Sequence, residues 1–398
     1  MNKPPSPNVV VAIDLGASLS KVAAIDAKGH YSLLAAYSDV AQTPVDHIKQ
    51  VESKFWGERI PEARTWVVTS EGAFVTGEYA RNHFRGRNNL KLSKLDEAVP
   101  KILSLLWILS QKYNHLGNSF GLKLGVLLPS GECAEGDIRE LKERLIPALK
   151  SFDTPTGKLK LKITPQNLEI KPEGAGIYVH RRLNMSQDAL VRTRLGILGI
   201  GYRNTNLLVS VSGSVSDRDR HTCDLGFSYL ISAIKILTGS AFSESDLAKV
   251  VVSAGWDINR IVVEQFLQQL GKPQRLDSLI ESIEKSQADY LMQLRRWFRD
   301  VQAHALEAVA FYGGTTDYLY KPLAEYFKAI DDVFWHKEFQ VSPELLSKAY
   351  LPKDQQGLDY RFADPWCFLA MLCTSVEGFG DFGINILKKE EAHVKVKY

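Results

Sequence analysis

The chain has 398 residues, of which 45% are hydrophobic and 24% charged, with a formal net charge of +3. That is the profile of a globular protein long enough for two domains or one large two-lobed unit, and the near balance of charge excludes a strong field for nucleic acid or a membrane surface. Four scattered cysteines, Cys133, Cys223, Cys367 and Cys373, show no CxxC spacing and no paired His, which argues for reduced buried thiols in a cytosolic protein over a disulfide frame or a zinc site.

The opening residues MNKPPSPN read as a short polar tail and not as a signal peptide. The longest apolar runs, such as FLAMLC, fall far below the roughly 20 residues that span a bilayer. A cytoplasmic protein with no membrane span is expected. Residues 9–14 and 21–26 read as β-strands, DAKGH as the turn after them and YSLLAAYS as a third strand, together a meander that opens a mixed sheet. Residues 66–78 read as two short strands around Glu71 and Gly72. Apolar residues at 99, 102, 103, 106 and 109 have helical spacing. GLKLGVLLP is a strand, GDIRELKERLIPALKSF an amphipathic helix, and KLKLKITPQNLEIKPEG alternates as strands. A similar order then restarts. RLGILGIGYRNTNLLVSVSGS is strand, glycine turn, strand; FSYLISAIKILTG and most of 257–306 are helical; EAVAFYGGTTDYLYKPLAEYF is a strand, two glycines and a helix; PWCFLAMLCTSVEGF is a helix. The strand–glycine turn–strand unit thus recurs after about 180 residues.

Such glycine-tipped hairpins can close on a polyphosphate, because glycine permits close backbone approach and turn N–H groups point at oxygens. In VVVAIDLGASLSKVAAID, Asp14 at the strand end can hold Mg²⁺ through water, and Lys21 can add a positive charge. An ordinary hairpin with a capping aspartate explains the same residues.

DLGASLSK resembles the first phosphate loop of the actin superfamily, in which Asp, any residue and Gly precede a Lys seven positions after the Asp; Asp14, Gly16 and Lys21 match. LGILGIGYRNTNL resembles the second phosphate loop, and AVAFYGGTTDYL the adenosine motif with its paired Gly313 and Gly314. CDLGFSYLISAIK resembles the stretch after the second loop, where Gly226 opens a helix, and VTGEYARNH a turn of the plasmid-segregation branch. The motifs run in the family's order along nearly the whole chain, and the resemblance points to ParM-type bacterial actins.

The resemblance implies an α/β, actin-like two-domain fold, with mixed sheets flanked by helices and nucleotide in the interdomain cleft. Residues 1–190, with 341–398 packing back, would form domain I, and 191–340 domain II. It implies ATP or ADP and Mg²⁺ as cofactors. Gly16, Ala17, Ser18, Ser20 and Lys21 would take phosphates, with Gly199, Gly201 and Gly226 from the second loop and Gly313, Gly314 and Thr315 from the adenosine motif. Glu173, in IKPEGAGIY, would position the attacking water, although a glutamate in a first helical turn is also favoured by the macrodipole. One position departs from the family: Gly199 stands where its second loop opens with an aspartate. Asp188 and Asp217 lie outside the hairpin, and Asp224 is the candidate substitute metal ligand. Backbone N–H groups at Gly199 and Gly201 are still expected to face phosphates. Arg295 or Arg296 would approach the base.

The function implied is slow ATP hydrolysis coupled to a homopolymeric filament, for DNA segregation or for cell shape. A separate adaptor, possibly DNA-binding, is the expected partner, with no direct nucleic-acid contact. The basic stretch with Arg81, Arg85, Arg87, Lys91 and Lys94 is expected to be a solvated face or filament contact. A non-hydrolysing scaffold or sensor of the same fold is the alternative. A metabolic kinase of the superfamily would need a pocket aspartate as base, and no such signature is present.

Overall fold

Runs of β-branched and aliphatic residues at the start of the chain form strands that bury both faces. Strands β1 (Val9–Leu15), β2 (Leu19–Asp26) and β3 (Tyr31–Tyr37) make an antiparallel meander. The computed structural model describes residues 6–55, 57, 59–87, 93–335, 339, 341–352 and 359–388. Lys91 of the basic stretch lies outside the described residues. The chain divides into two units, Met1–Met185 with His336–Tyr398, and Ser186–Trp335.

The first unit continues with β4 (Val40–Gln42), β5 (Trp66–Thr69), β6 (Gly72–Thr76), β7 (Ser119–Leu128), β8 (Phe152–Thr154), β9 (Gly157–Lys162) and β10 (Leu168–Pro172). They join one sheet in the order β3-β2-β1-β7-β9-β8-β5-β6-β4, with β10 pairing β7. Its helices are α1 (Val45–Glu52), α2 (Gly77–His83), α3 (Ala98–Lys112), α4 (Glu135–Lys150) and α5 (Ala175–Asn184).

The second unit holds α6 (Gln187–Arg192), β11 (Leu195–Ile200), β12 (Thr205–Ser210), β13 (Arg220–Cys223), α7 (Phe227–Thr238), α8 (Glu244–Ala254), α9 (Arg260–Gln269), α10 (Leu276–Asp300), β14 (Ala308–Tyr312), α11 (Tyr320–Tyr326) and β15 (Asp332–Phe334). Its sheet runs β13-β12-β11-β14-β15. The chain returns to the first unit through α12 (Pro343–Ser347), α13 (Ala363–Thr374) and α14 (Gly380–Lys388).

The period of two in β1 sorts its side chains between two cores. Val9, Val11, Ile13 and Leu15 pack with α3 and α4, whereas Val10 and Ala12 pack with Trp366, Phe368 and Leu372 of α13. A strand covered on both faces reads as a continuous apolar run, and all seven residues of β1 are buried. Helix α3 is buried from Ala98 to Ser110 for the same reason. The second unit has a separate core, in which Leu198 and Ile200 of β11 meet Leu230, Ile234 and Leu294 of α7 and α10. The elements expected from alternation and helical spacing are present. The short helices α1 and α2 had no such signal, and VTGEYARNH, expected as a turn, forms the end of β6 and the whole of α2. Among the described residues, no helix is long and apolar enough to cross a membrane.

Candidate functional site

In the first unit, the antiparallel register places Asp14 opposite Lys21, one at the end of β1 and the other near the start of β2. The Lys21 ammonium pairs with Asp14 Oδ2, and both side chains are largely buried. The other oxygen, Asp14 Oδ1, is buried without a hydrogen-bond partner. An acceptor left open beside a paired lysine is costly for stability, which is the condition expected of a group kept for a ligand.

The tip of this hairpin demands a glycine. A Cβ at Gly16 would lie 2.2 Å from the Leu19 carbonyl oxygen and 2.9 Å from Lys21 Nζ. Ser38 donates to the Gly16 carbonyl at 2.5 Å, fixing the tip from behind. Ala17 and Ser18 remain partly exposed at the tip. Ser20 is different: it is 2% exposed and its hydroxyl meets Ser38 Oγ at 3.2 Å. Its hydroxyl therefore braces the hairpin and does not line the loop surface.

Glu173 follows β10 and precedes α5. Its N–H donates to the Leu128 carbonyl at 2.7 Å, tying it to the end of β7. Gly174 then turns with φ 91°, a left-handed conformation that favours glycine, and caps α5. The Glu173 carboxylate pairs with Lys94, and both side chains are mostly buried. Burial pushes the Glu173 pKa up, against the pull of Lys94 and with a further push from Asp14. Lys94 is itself seated because Ser93 Oγ and the Lys94 N–H both donate to Glu132, at 2.7 and 2.6 Å.

Sequence reasoning missed two of these groups. Lys94 of the basic stretch, expected in a solvated face or filament contact, is instead 11% exposed and paired with Glu173. Arg81 of the same stretch pairs with Asp39 and stacks at 3.6 Å on Tyr37. Asp364 is the second. It lies in the first turn of α13, yet it caps α5. Its carboxylate accepts from the N–H groups of Gly174, Gly176 and Ile177 at 2.6, 2.9 and 3.3 Å. Its pKa is raised to about 7: burial pushes it up, with Asp14 and Glu173 adding to the push, against the pull of the Gly174 and Ile177 N–H donors. Three carboxylates and two lysines, from five separate segments of the first unit, thus act on one another here.

The second unit carries the other candidate residues. Gly199 lies inside β11, paired with Asn206 of β12 and Tyr312 of β14. The Tyr312 ring covers it: a Cβ at Gly199 would stand 2.2 Å from Tyr312 Cζ. This aromatic cover over a strand glycine explains the glycine by packing. The Gly201 N–H donates to the Asn204 carbonyl at 2.9 Å. The expectation that N–H groups of Gly199 and Gly201 face phosphates is corrected, since Gly199 is a strand residue and the Gly201 donor closes the hairpin.

The start of α7 is occupied in the same way. The N–H groups of Gly226, Phe227 and Ser228 donate to the carbonyls of Arg203, Gly201 and Tyr202 at 2.9, 3.0 and 2.7 Å. A Cβ at Gly226 would meet Arg203 backbone at 2.2 Å, so this glycine serves close packing. Gly313, at φ +94°, leads Thr315 back onto the same hairpin. The Thr315 N–H donates to Ile200 and its hydroxyl to Gly201, at 3.0 and 2.9 Å. Gly314 lies between them in the same turn. Asp224 is an exposed bend residue between β13 and α7. Arg295 lines a groove of about 940 Å³ with Leu291, Met292, Arg299, His304 and Tyr326, while Arg296 is exposed.

No protein-family model matches the chain, and no curated protein matches it. Solved structures do. An archaeal actin homologue is 18% identical with a TM-score of 0.54, over 92% of this chain and 100% of that one. The ParM of Bacillus thuringiensis with AMPPNP is 12% identical with a TM-score of 0.53, over 92% and 99%. A non-polymerisable quadruple mutant of pCBH ParM is 14% identical with a TM-score of 0.51, over 91% and 98%. The chain has an actin-like, ParM-type fold. In this chain the β1–β2 hairpin carries Asp14 opposite Lys21, and the β11–β12 hairpin carries no carboxylate.

Proposed function

We propose that this protein binds Mg²⁺ with ATP or ADP, hydrolyses ATP slowly, and couples the nucleotide state to assembly of its own copies into filaments. The observation that carries the reading is Asp14, whose buried Oδ1 is orphaned while Oδ2 pairs with Lys21. A hydrated Mg²⁺ fits that acceptor, since Mg²⁺ keeps several waters and takes one or two carboxylates with phosphate oxygens. When bound, the metal supplies charge neutralisation for the phosphates. Lys21 would turn from Asp14 toward phosphate, and Gly16, Ala17 and Ser18 would present backbone at close range. Gly313, Gly314 and Thr315 are proposed to serve the adenosine end.

Glu173 is proposed to accept a hydrogen bond from the attacking water and so orient it. Its present partner, Lys94, sets a condition on that role. The carboxylate must give up part of the ion pair before it can act on water, and this fits a slow enzyme. Phosphoryl transfer depends mainly on such positioning and on charge stabilisation. Among the neighbours, ParM was solved with AMPPNP and an archaeal actin homologue with ADP, which supports a nucleotide ligand. One ParM is described as a non-polymerisable mutant, which supports self-association. A DNA-segregation or cell-shape role, with an adaptor, extends this reading.

A second reading is favoured by Gly199 and Tyr312, which leave no carboxylate in the second hairpin: a nucleotide-dependent scaffold that does not hydrolyse. Phosphate release and sedimentation with Mg²⁺-ATP separate the two. Glu173→Ala should abolish phosphate release and still pellet, with longer-lived polymer. A parent that pellets without releasing phosphate is the scaffold; one that never pellets in any nucleotide sinks the filament reading.

A further inference from the structure

At the other end of β2 from the Asp14 hairpin, about 20 Å along the strand, a second cluster is assembled. Asp26 closes β2 and is 1% exposed. The turn that follows folds back on its carboxylate. The N–H groups of Lys28 and His30 both donate to Asp26 Oδ1 at 2.9 Å, and the Asp26 N–H donates to the His30 carbonyl at 3.2 Å. Gly29 makes this possible at φ +84°. With Oδ1 committed, Oδ2 faces two imidazoles: His30 Nδ1 at 2.9 Å and His115 Nε2 at 3.0 Å.

His115 comes from a different element, the short turn Asn114–Leu116 after α3. Its place is fixed by buried Tyr113, whose hydroxyl donates to the His30 carbonyl at 2.7 Å. The turn after β2 and the turn after α3 are therefore locked before any ligand arrives. The two rings stand edge to face with centroids 6.0 Å apart, and the His30 side chain is 63% exposed. One side of the cluster is thus fixed in the fold and the other is open to solvent.

We propose that Asp26, His30 and His115 form a zinc-binding site, with solvent completing the coordination. The three ligand atoms lie within 4.8 Å of one another. Zinc bonds of about 2.0–2.1 Å in a tetrahedron place ligand atoms about 3.3 Å apart, so the two carboxylate–imidazole separations need to open by only a few tenths of an ångström. Two imidazoles and one carboxylate suit zinc and its transition-metal neighbours, whereas Mg²⁺ and Ca²⁺ take oxygen ligands. The two N–H donors on Oδ1 orient the carboxylate as an outer shell does in metal sites. This site is independent of the nucleotide reading: its metal would staple the β2–β3 turn to the end of α3.

The test uses the full chain, stripped with chelator and titrated with zinc chloride by calorimetry without nucleotide, with thermal unfolding alongside. One zinc ion per chain should bind and raise the melting temperature, and Co²⁺ should give the visible absorption of a tetrahedral site. His30→Gln with His115→Gln should lose the heat, the melting shift and the absorption. His304→Gln, an exposed histidine elsewhere, should keep all three. The double variant should melt somewhat below the metal-free parent, because it removes the two imidazoles that pair with the buried Asp26 Oδ2, so each protein's zinc shift is read against its own metal-free melting temperature. Zinc binding that is absent in the parent, or equal in parent and double variant, overturns the proposal and leaves the cluster as hydrogen bonds alone.

Discussion

The β1–β2 and β11–β12 hairpins have the same strand–glycine turn–strand pattern about 180 residues apart, but their chemistry has diverged. In the first, Asp14 faces Lys21 across the pair and leaves one buried oxygen without a partner. In the second, Gly199 faces Asn206, and the space above it is filled by Tyr312. The first hairpin is bonded from behind, through Ser38 to the Gly16 carbonyl, so its tip stays partly exposed. The second is bonded at its tip: Gly201, Tyr202 and Arg203 give their carbonyls to the start of α7. A repeated backbone pattern therefore does not carry a repeated function. What decides is whether the turn's donors and acceptors are already used.

The largest effect is expected at the carboxylate that the second hairpin lacks. Asp14→Asn keeps the shape and removes the charge. Loss of one electrostatic contact of this type costs on the order of 10²–10³ in rate, or about 3–4 kcal/mol of barrier. Phosphate release should fall by that factor and Mg²⁺-dependent nucleotide binding should weaken. The nucleotide-free protein should also lose stability, because the change leaves the buried Lys21 ammonium without its counter-charge, so the rates are compared at a temperature where both proteins are folded. An unchanged rate would remove the functional difference between the hairpins.

That carboxylate was legible in the sequence because strand, aspartate, glycine and lysine are close together in one run. The strands themselves were legible because both-face burial leaves an unbroken apolar string. Lys94, Asp364 and Tyr312 were not. Each acts on a residue far along the chain, on Glu173, on Gly174 with Gly176, and on Gly199 respectively. For Lys94 the local pattern is that of a basic stretch, and for Asp364 and Tyr312 no local pattern names the distant partner. Glycine likewise signalled close approach without saying what approaches. At Gly16 it is the hairpin's own backbone and Lys21, and at Gly199 it is a tyrosine ring.

A sharper comparison would restore the missing acid. Gly199→Asp alone should not speed hydrolysis. Its Cβ would lie 2.2 Å from Tyr312 Cζ, and overpacking of this sort costs about 1–3 kcal/mol or more. The obstacle is thus the ring, and no positive φ is involved. Tyr312→Ala alone should cost about 3–5 kcal/mol through the cavity it leaves. Combining the two should cost less than their sum, because each relieves the other. Thermal unfolding of the two single variants and the pair reads the coupling directly. Strict additivity would mean that Tyr312 does not set the identity of residue 199.

The hairpins also differ in titration. The first unit's site gathers Asp14, Glu173 and Asp364, while the second hairpin contains no acid. The Asp364 pKa is pushed from 3.8 up to about 7 in the fold, so the folded chain holds a proton that the unfolded chain has released. Stability of the nucleotide-free protein should therefore fall as pH rises from about 4 to about 7, and this contribution should be flat outside that window. Glu173, also raised, adds in the same direction. The ceiling for Asp364 is about 4 kcal/mol. Asp364→Asn should melt lower overall, since an amide cannot accept all three N–H bonds, and its melting temperature should depend less on pH. Equal slopes in parent and variant would show that the acid cluster is not what separates the two units.

The smallest effects should come from the hydroxyls that brace each hairpin. Ser20 meets Ser38 in the first; in the second, Thr205 donates to the Leu225 carbonyl at 2.7 Å. Ser20→Ala leaves Ser38 still bonded to Gly16. Thr205→Val leaves Leu225 with its second donor, the Tyr290 hydroxyl at 3.0 Å. Each change removes one hydrogen bond without stranding the partner, so each should cost about 0.5–1.5 kcal/mol, and phosphate release should hold near the parent value in both. Chemical denaturation measures the first claim and a steady-state assay the second. A large loss of rate for Ser20→Ala, with stability intact, would place that hydroxyl at the phosphates after all, and would make the first hairpin's inner face part of the site.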